Sequence, residues 1–357
     1  MNLDDWGWGR HWQGEIDSIS PSDLNPGRVI AVHRDLSLVQ TAQGERPGLV
    51  SGKFRHGAQK LSDYPAVGDW VLADTKNPDL AVLHHILPRK TTISRKAAGN
   101  QIDEQILATN VDIIFVVTAF DDDFNVRRLE RYVLLAHQSG IDPVILVNKA
   151  DLAKPDDEKY SLANDVLPNG SVHRLSAQTG DGVDIIQYYL SEGKTGIFLG
   201  SSGVGKSTVL NGLLGQNVQS TQTIRLSDGK GRHTTTAREM FRLPHGGLII
   251  DTPGLREVQL WGDESALSEV FDEIKELAKA CQFNDCRHGQ EPGCAIQAAL
   301  EDGTLPMGRY QSFLKLQKEM AYLERKKDPQ QRANTKRRWK KIHENMRDYV
   351  DRKRKGF

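Results

Sequence analysis

Two short segments carry side chains that together could hold a nucleotide, and their order along the chain is unusual. Gly200-Ser201-Ser202-Gly203-Val204-Gly205-Lys206-Ser207 fits the pattern G-x-x-x-x-G-K-[ST], a loop whose backbone N–H groups and lysine cradle phosphates. Its glycines let the backbone wrap around phosphate oxygens. The helix that follows, opened by Ser207 and Thr208, presents its positive end to them. Lys206 is expected to reach the outer phosphates and Ser207 to bind Mg²⁺. Asn148-Lys149-Ala150-Asp151 fits N-K-x-D, the base-reading element of guanine-nucleotide proteins. The Asp151 carboxylate can accept hydrogen bonds from both N1–H and the N2 amine of guanine, a donor pair that adenine lacks, so the site is expected to take GTP and GDP. The stem of Lys149 is expected to cross the base plane. Ser176-Ala177 fits the S-A-x element whose backbone N–H meets guanine O6. In an ordinary GTPase the base-reading element lies downstream of the phosphate loop, whereas here it precedes it. A permuted chain order around one site accounts for this, and is tolerated because domain termini tend to lie close together.

Asp251-Thr252-Pro253-Gly254 fits D-x-x-G, with Asp251 holding Mg²⁺ through water and the Gly254 N–H sensing the γ-phosphate. Between the two lies Gly231-Arg232-His233-Thr234-Thr235-Thr236, whose Thr235 (or, second, Thr234) is the expected switch ligand for Mg²⁺. Such segments are ordered by the γ-phosphate and released after hydrolysis. The residue directly after D-x-x-G is Leu255, where Ras-like proteins carry a glutamine that orients the attacking water. Leucine can neither donate nor accept a hydrogen bond. Slow hydrolysis by the isolated chain is therefore expected, with His233 or a partner supplying the missing group.

All three cysteines fall in Cys281-x₄-Cys286-x-His288-x₅-Cys294. Three thiolates and one imidazole make a closed tetrahedral Zn²⁺ site of the structural kind, one ion with no open position for catalysis. The plainer alternative is three buried free thiols and a surface histidine. Their clustering excludes a disulfide scaffold and suits a reducing compartment.

These residues need elements to place them. From Gly27 to about Lys90 the chain reads as short strands, Arg28–His33, Ser37–Thr41, Gly48–Arg55, Asp69–Thr75 and Ala81–Leu87, punctuated by Gly, Pro, Asn and Asp; that pattern suits a small closed barrel such as an OB-fold. A polar linker is expected near Ser94–Asn100. Val111–Ala119 then reads as a strand buried on both faces, Val126–Ser139 as a helix, and Pro143–Val147, Thr195–Leu199, Phe241–Leu243 and Gly247–Ile250 as further strands. Alternating strands and helices predict a doubly wound, mostly parallel sheet, with every nucleotide motif at a carboxyl edge. Beyond about Gly262 the chain reads as helical around the cysteine loop. The fold class is thus multidomain α/β: an extension (1–25), a barrel (26–92), a circularly permuted P-loop GTPase domain (100–258) and a helical zinc-binding module with a basic tail (262–357). The extension carries Trp6, Trp8 and Trp12 and is expected to fold back onto its own domain or stay mobile.

The formal net charge of zero over 357 residues conceals an asymmetry: Arg325–Phe357 holds 14 Lys+Arg against 4 Asp+Glu, a local +10, and the remainder sums to −10. Cations interleaved with Trp339 could neutralise and stack on RNA; a solvated helix face is the bland alternative. No stretch resembles a signal peptide or spans a bilayer, so a soluble cytoplasmic monomer is expected.

N-K-A-D, S-A-x-T-G, G-S-S-G-V-G-K-S, G-R-H-T-T-T and D-T-P-G in this order, followed by C-x₄-C-x-H-x₅-C, resemble the RsgA (YjeQ) family of circularly permuted GTPases over nearly the whole chain. The resemblance implies an enzyme that binds the 30S ribosomal subunit and its rRNA late in maturation. It implies that the subunit stimulates hydrolysis of GTP to GDP and that the enzyme then leaves. It also implies a catalytic histidine at His233. An RNA-binding GTPase with another RNA or protein partner is the alternative.

Overall fold

The architecture was taken from a computed structural model, which describes residues 2–19, 23–33, 36–97, 103–215, 238–252, 260–261, 266–289 and 291–327. Two compact units result, one formed by residues 1–97 and 103–260, the other by 98–102 and 261–357.

The first unit begins with a five-stranded barrel. Strands β1 (Asn25–His33), β2 (Leu36–Thr41) and β3 (Gly44–Val50) form an antiparallel meander; β4 (Trp70–Asp74) and β5 (Ala81–Ile86) complete the wall. The order is β1-β2-β3-β5-β4, with β3 and β5 parallel, and an antiparallel β1–β4 pairing from Asn25↔Ala73 to Arg28↔Trp70 closes it. Closure removes the exposed edges that short strands would otherwise present. Val29, Val39, Val71, Ala73, Ala81 and Leu83 fill the interior. Val71 and Ala73 of β4, and Ala81 and Leu83 of β5, point inward two residues apart, as the pleat of a strand requires.

The sequence expectation fails in two places here. Gly48–Arg55 is not one strand: β3 ends at Val50, and Gly52–Gly57 is a short helix, α2. The Ser51 hydroxyl accepts from the Phe54 N–H at 3.1 Å, an N-cap that ends the strand and starts the helix. The polar linker expected near Ser94–Asn100 begins inside a strand, β6 (Thr92–Lys96), which pairs antiparallel with β7 (Glu104–Thr109). Neither strand alternates apolar with polar residues, β6 reading Thr-Ile-Ser-Arg-Lys and β7 Glu-Gln-Ile-Leu-Ala-Thr, so the period of a half-buried strand is missing.

The tryptophan-bearing segment folds back onto the barrel. Trp6 and Trp12 are buried, and the rings of Trp8 and Trp12 stand 4.7 and 6.1 Å from that of Trp70 on β4.

The remainder of the unit is a parallel sheet carrying one antiparallel strand. Its strands are β8 (Ile113–Ala119), β9 (Pro143–Asn148), β10 (Ser171–Arg174), β11 (Thr195–Leu199), β12 (Arg238–Arg242) and β13 (Leu248–Asp251), in the spatial order β10-β9-β8-β11-β13-β12. All pairs are parallel except β12–β13. β8 is buried on both faces, apart from partly buried Ile113, as its unbroken apolar run requires. On one face Phe115, Val117 and Ala119 pack with Ile186 and Leu190, and with Val209, Leu210 and Leu213 of α6 (Lys206–Leu214). Helix α3 (Val126–Gln138) packs against β8 and β9. It starts where the Asn125 side chain accepts from the Arg128 N–H at 3.0 Å, and it is followed by Gly140 at φ 67°. The two halves share hydrogen bonds: β1 pairs with β12 through Ala31↔Glu239 and Val32↔Arg238, making one continuous eleven-stranded sheet.

The second unit is helical, with helices at Leu267–Val270, Asp272–Lys279, Ala295–Glu301 and Met307–Lys327. Phe271 meets Phe313 edge-on at 5.6 Å, and Arg309 lies 4.4 Å over the Phe271 ring while its Nε donates to Glu273 at 2.7 Å.

Candidate nucleotide site and metal centre

Because β8, β9, β10, β11 and β13 run parallel, the loops after them open on the same edge, where ligands of such sheets bind. That edge carries Asn148–Asp151 after β9, Ser176 after β10, the 200–207 loop after β11 and Asp251 at the end of β13. The spatial order therefore juxtaposes segments whose chain order is permuted.

Asn148 ties three of them together. Its Nδ2 donates to the Val204 carbonyl at 2.8 Å, inside the glycine-rich loop, and its Oδ1 accepts from the Ala177 N–H at 2.9 Å. The residue is 1% exposed, so this amide serves to join the loops and not to meet solvent. The next residue, Lys149, is left-handed at φ 60°, which turns the chain so that Asp151 faces outward. Ser176 Oγ donates to Asp151 Oδ1 at 2.5 Å, fixing the exposed carboxylate. The Ser176 N–H goes to the Asp181 carbonyl and the Ala177 N–H to Asn148. The backbone N–H groups of both residues of this element are thus engaged within the protein.

Within the phosphate loop, Gly205 takes φ 95°, and a Cβ there would sit 2.3 Å from Asn148 Nδ2. Glycine is required by conformation and by space alike. Lys206 is buried, and its ammonium donates to the carbonyls of Gly200 and Ser201 at 2.9 and 2.7 Å. An ammonium has three donors, so one remains. Burial pushes the Lys206 pKa down, opposed by the charges of Asp251 and Asp123. Asp251 is itself buried and close enough to act on that lysine. Thr252 Oγ1 donates to the Phe198 carbonyl at 2.7 Å, locking the end of β13 to the phosphate-loop strand. Ser207 is half-buried and Thr208 exposed in the first turn of α6.

Sequence reasoning passed over Asp121 and Asp123, which follow β8 on the same edge. Asp121 pairs with Lys149 at 2.7 Å, which fixes the lysine stem beside the base-reading loop. Asp123 accepts from Ser201 Oγ of the phosphate loop and from Arg128 of α3, the latter at 2.7 Å. The run Asp121-Asp122-Asp123 reads as a solvated turn; its place directly after a buried strand was the available signal. His233, Thr234, Thr235, Gly254, Leu255 and the basic tail beyond Lys327 lie outside the described residues.

In the second unit the donor atoms of Cys281, Cys286, His288 and Cys294 all lie within 4.8 Å of one another. Cys281 Sγ and Cys294 Sγ approach His288 Nδ1 at 3.5 and 3.6 Å. His288 reaches this place from a left-handed backbone, φ 56°, with its carbonyl held by Gln297 Nε2 at 2.6 Å. The cluster could hold one metal ion. No described helix is long and apolar enough to cross a membrane.

The family model "RsgA GTPase" matches residues 86–261. A protein of Opitutus terrae named "Small ribosomal subunit biogenesis GTPase RsgA" is 43% identical, the match covering 97% of each chain. One of Lactiplantibacillus plantarum, named "Small ribosomal subunit biogenesis GTPase RsgA 2", is 48% identical over 83% of each. Among solved structures, YjeQ from Thermotoga maritima superposes with a TM-score of 0.59 at 25% identity, covering 84% of this chain and 99% of that one. YloQ, described as a circularly permuted GTPase, gives 0.57 at 24% identity over 84% and 96%, a likeness of fold.

Proposed function

We propose, from the premise that the chain belongs to the RsgA family of circularly permuted GTPases and so hydrolyses GTP, that its partner is the small ribosomal subunit. It would assist late maturation of that subunit in the cytoplasm, as a monomer, and leave after hydrolysis. The names carried by its relatives support the partner. The observation that supports the nucleotide site is the Asn148 side chain, bonded at once to Val204 and Ala177 beside a carboxylate fixed by Ser176.

In this reading Asp151 accepts from the guanine N1–H and N2 amine, while Asn148 and Lys149 shape the base pocket. The 200–207 loop and Thr208 hold the phosphates, with the remaining Lys206 donor on an outer oxygen. Asp251 lies near Lys206, and Ser207 opens the helix beside it. Their oxygens, together with the hydroxyl of Thr235, which lies outside the described residues, would supply a hard donor set suited to Mg²⁺, an ion that would neutralise charge on the phosphates. Gly254 would sense the γ-phosphate and His233 position the attacking water, since Leu255 has no polar atom for that task. The barrel (26–92), the GTPase domain (100–258) and the 262–357 module act as three parts, with the barrel and basic tail contacting rRNA.

Three thiols and an imidazole fit Zn²⁺, and a closed Cys₃His set makes it structural. Chelation should lower the helical circular-dichroism signal of the chain and zinc should restore it; helicity indifferent to both would remove the structural role.

The decisive measurement is GTP hydrolysis by the zinc-replete protein alone, with 30S, with 50S and with free RNA. Stimulation of at least tenfold by 30S alone is expected. Equal stimulation by 50S or free RNA would favour a general RNA-dependent GTPase, and none by any of them would leave the partner unassigned.

A further inference from the structure

Away from the nucleotide edge, the first unit contains a cavity of about 670 Å³ between the barrel wall, α2, the β6–β7 hairpin and the start of β12. Its volume is that of a small-molecule pocket. Ser37, Arg55, Tyr64, Gln105 and Arg238 supply its polar lining, and among the described residues no carboxylate lines it. Every one of these side chains can donate. Gln105 Oε1 accepts from Arg95 Nε at 3.1 Å, which turns the amide nitrogen of Gln105 into the free end. Among the described residues, Arg238 donates from Nη1 to the Ile106 carbonyl at 3.2 Å, while its buried Nε has no hydrogen-bond partner. Burial, with the like charge of Arg95 second, pushes the Arg238 pKa down to about 10. Arg28 shows the contrast: it is fully buried, yet the carboxylates of Asp112 and Asp69 act on it. A desolvated guanidinium with a cationic neighbour and an unpaired donor lacks an anion.

We propose that this cavity is a second ligand site, taking the phosphate of a phosphate ester of nucleotide size, with Arg238 and Arg55 on the oxyanion and Ser37, Tyr64 and Gln105 as further donors. Guanidinium groups suit phosphate because their planar N–H forks match its oxygens. A bare phosphate would leave most of the volume unfilled. Val32, Val50, Leu61 and Ile106 offer apolar surface to a carbon body, and the Tyr64 ring offers a face for a base. The ester could belong to a free nucleotide or to a unit of single-stranded RNA. The site is independent of the GTP-hydrolysing one.

The test is equilibrium dialysis on the full chain with its guanine site filled by a slight excess of GDP. The probes are cytidine 5′-monophosphate, which lacks the donor pair that Asp151 reads, and a 5′-phosphorylated cytidine trinucleotide. Saturable binding at one site is expected, displaced by inorganic phosphate but not by cytidine. It should weaken at least tenfold in Arg238→Gln and in Arg55→Ala, and stay unchanged in Lys53→Ala, whose exposed side chain lies outside the cavity. Arg55 is exposed on α2, so its removal keeps the test sound should Arg238→Gln fold poorly. Tighter binding of the trinucleotide identifies RNA as the source; equal or tighter binding of the monophosphate identifies a free nucleotide. Absence of saturable binding by either probe, displacement by cytidine, or indifference to Arg55→Ala overturns the site.

Discussion

In the proposed site Asp151 would carry most of the chemical selectivity, and its surroundings leave it room for the task. One carboxylate oxygen is held by Ser176 at 2.5 Å, yet each oxygen has two lone pairs, so the group can still accept from a base. Replacing it by asparagine puts an N–H donor where guanine also has a donor. Xanthine has a carbonyl there. Asp151→Asn should weaken GTP binding by tenfold or more, roughly the 1–3 kcal/mol of an unmatched polar group, and bring in xanthosine triphosphate. Competition between the two nucleotides for a fluorescent GDP analogue measures it; an unchanged preference for GTP would show that other groups read the base. That Asn148 and Asp151 belong to one cluster, and the cysteines with His288 to another, was legible from residue type and spacing. The place of Asp121 and Asp123 was not, since an acidic run has the same appearance whether it clasps Lys149 and Ser201 or faces solvent.

At the scale of elements, the phosphate loop is shaped by a steric rule as much as by its donors. Gly205 is left-handed, and its missing Cβ is the space that Asn148 Nδ2 occupies on its way to Val204. Gly205→Ala should therefore displace Asn148 and separate the base-reading loop from the phosphate loop. A left-handed alanine costs about 1–2 kcal/mol, a small loss of stability. Nucleotide affinity should fall at least tenfold, because both loops lose their common tie. Affinity that fell only in step with stability would mean the loops are aligned without Asn148. Element boundaries were less legible than the loop. The capping bond of Ser51 breaks the third expected strand into β3 and α2, and nothing in the local apolar pattern marks the break. The β6–β7 hairpin escaped notice because its strands pair charged and polar residues such as Lys96 with Glu104.

Across the molecule, Arg28 links the tryptophan-bearing segment, the barrel and the strand that feeds the phosphate loop. This wholly buried guanidinium donates to the carbonyls of Trp6 and Asn110 and to Thr195 Oγ1, the last at 2.9 Å, and it stacks 5.3 Å from the centre of the Trp70 ring. Bonds from a charged donor contribute about 1.5–3 kcal/mol each, offset in part by the desolvation that lowers the Arg28 pKa to about 10. Arg28→Met keeps the volume and orphans three acceptors, so stability should fall by roughly 3 kcal/mol. Urea unfolding followed by tryptophan fluorescence checks this, and a loss below about 0.5 kcal/mol would mean that desolvation cancels the bonds.

The sequence by itself carried the residues of the proposed chemistry, a candidate phosphate loop, a carboxylate proposed to read guanine and a Cys₃His set that could hold a metal, and strands whose periods distinguish a barrel from a buried parallel sheet. These are legible because side-chain type and apolar period are local properties. Only the tertiary structure decided that β1 closes on β4 and also extends the parallel sheet through β12. It alone brought Asn148, Ala177 and Val204 within hydrogen-bonding reach across 56 residues of chain, and set Arg238 in the wall of a cavity that no described carboxylate lines. Strand partners and register follow from burying many distant apolar faces at once, and no window of sequence contains that sum.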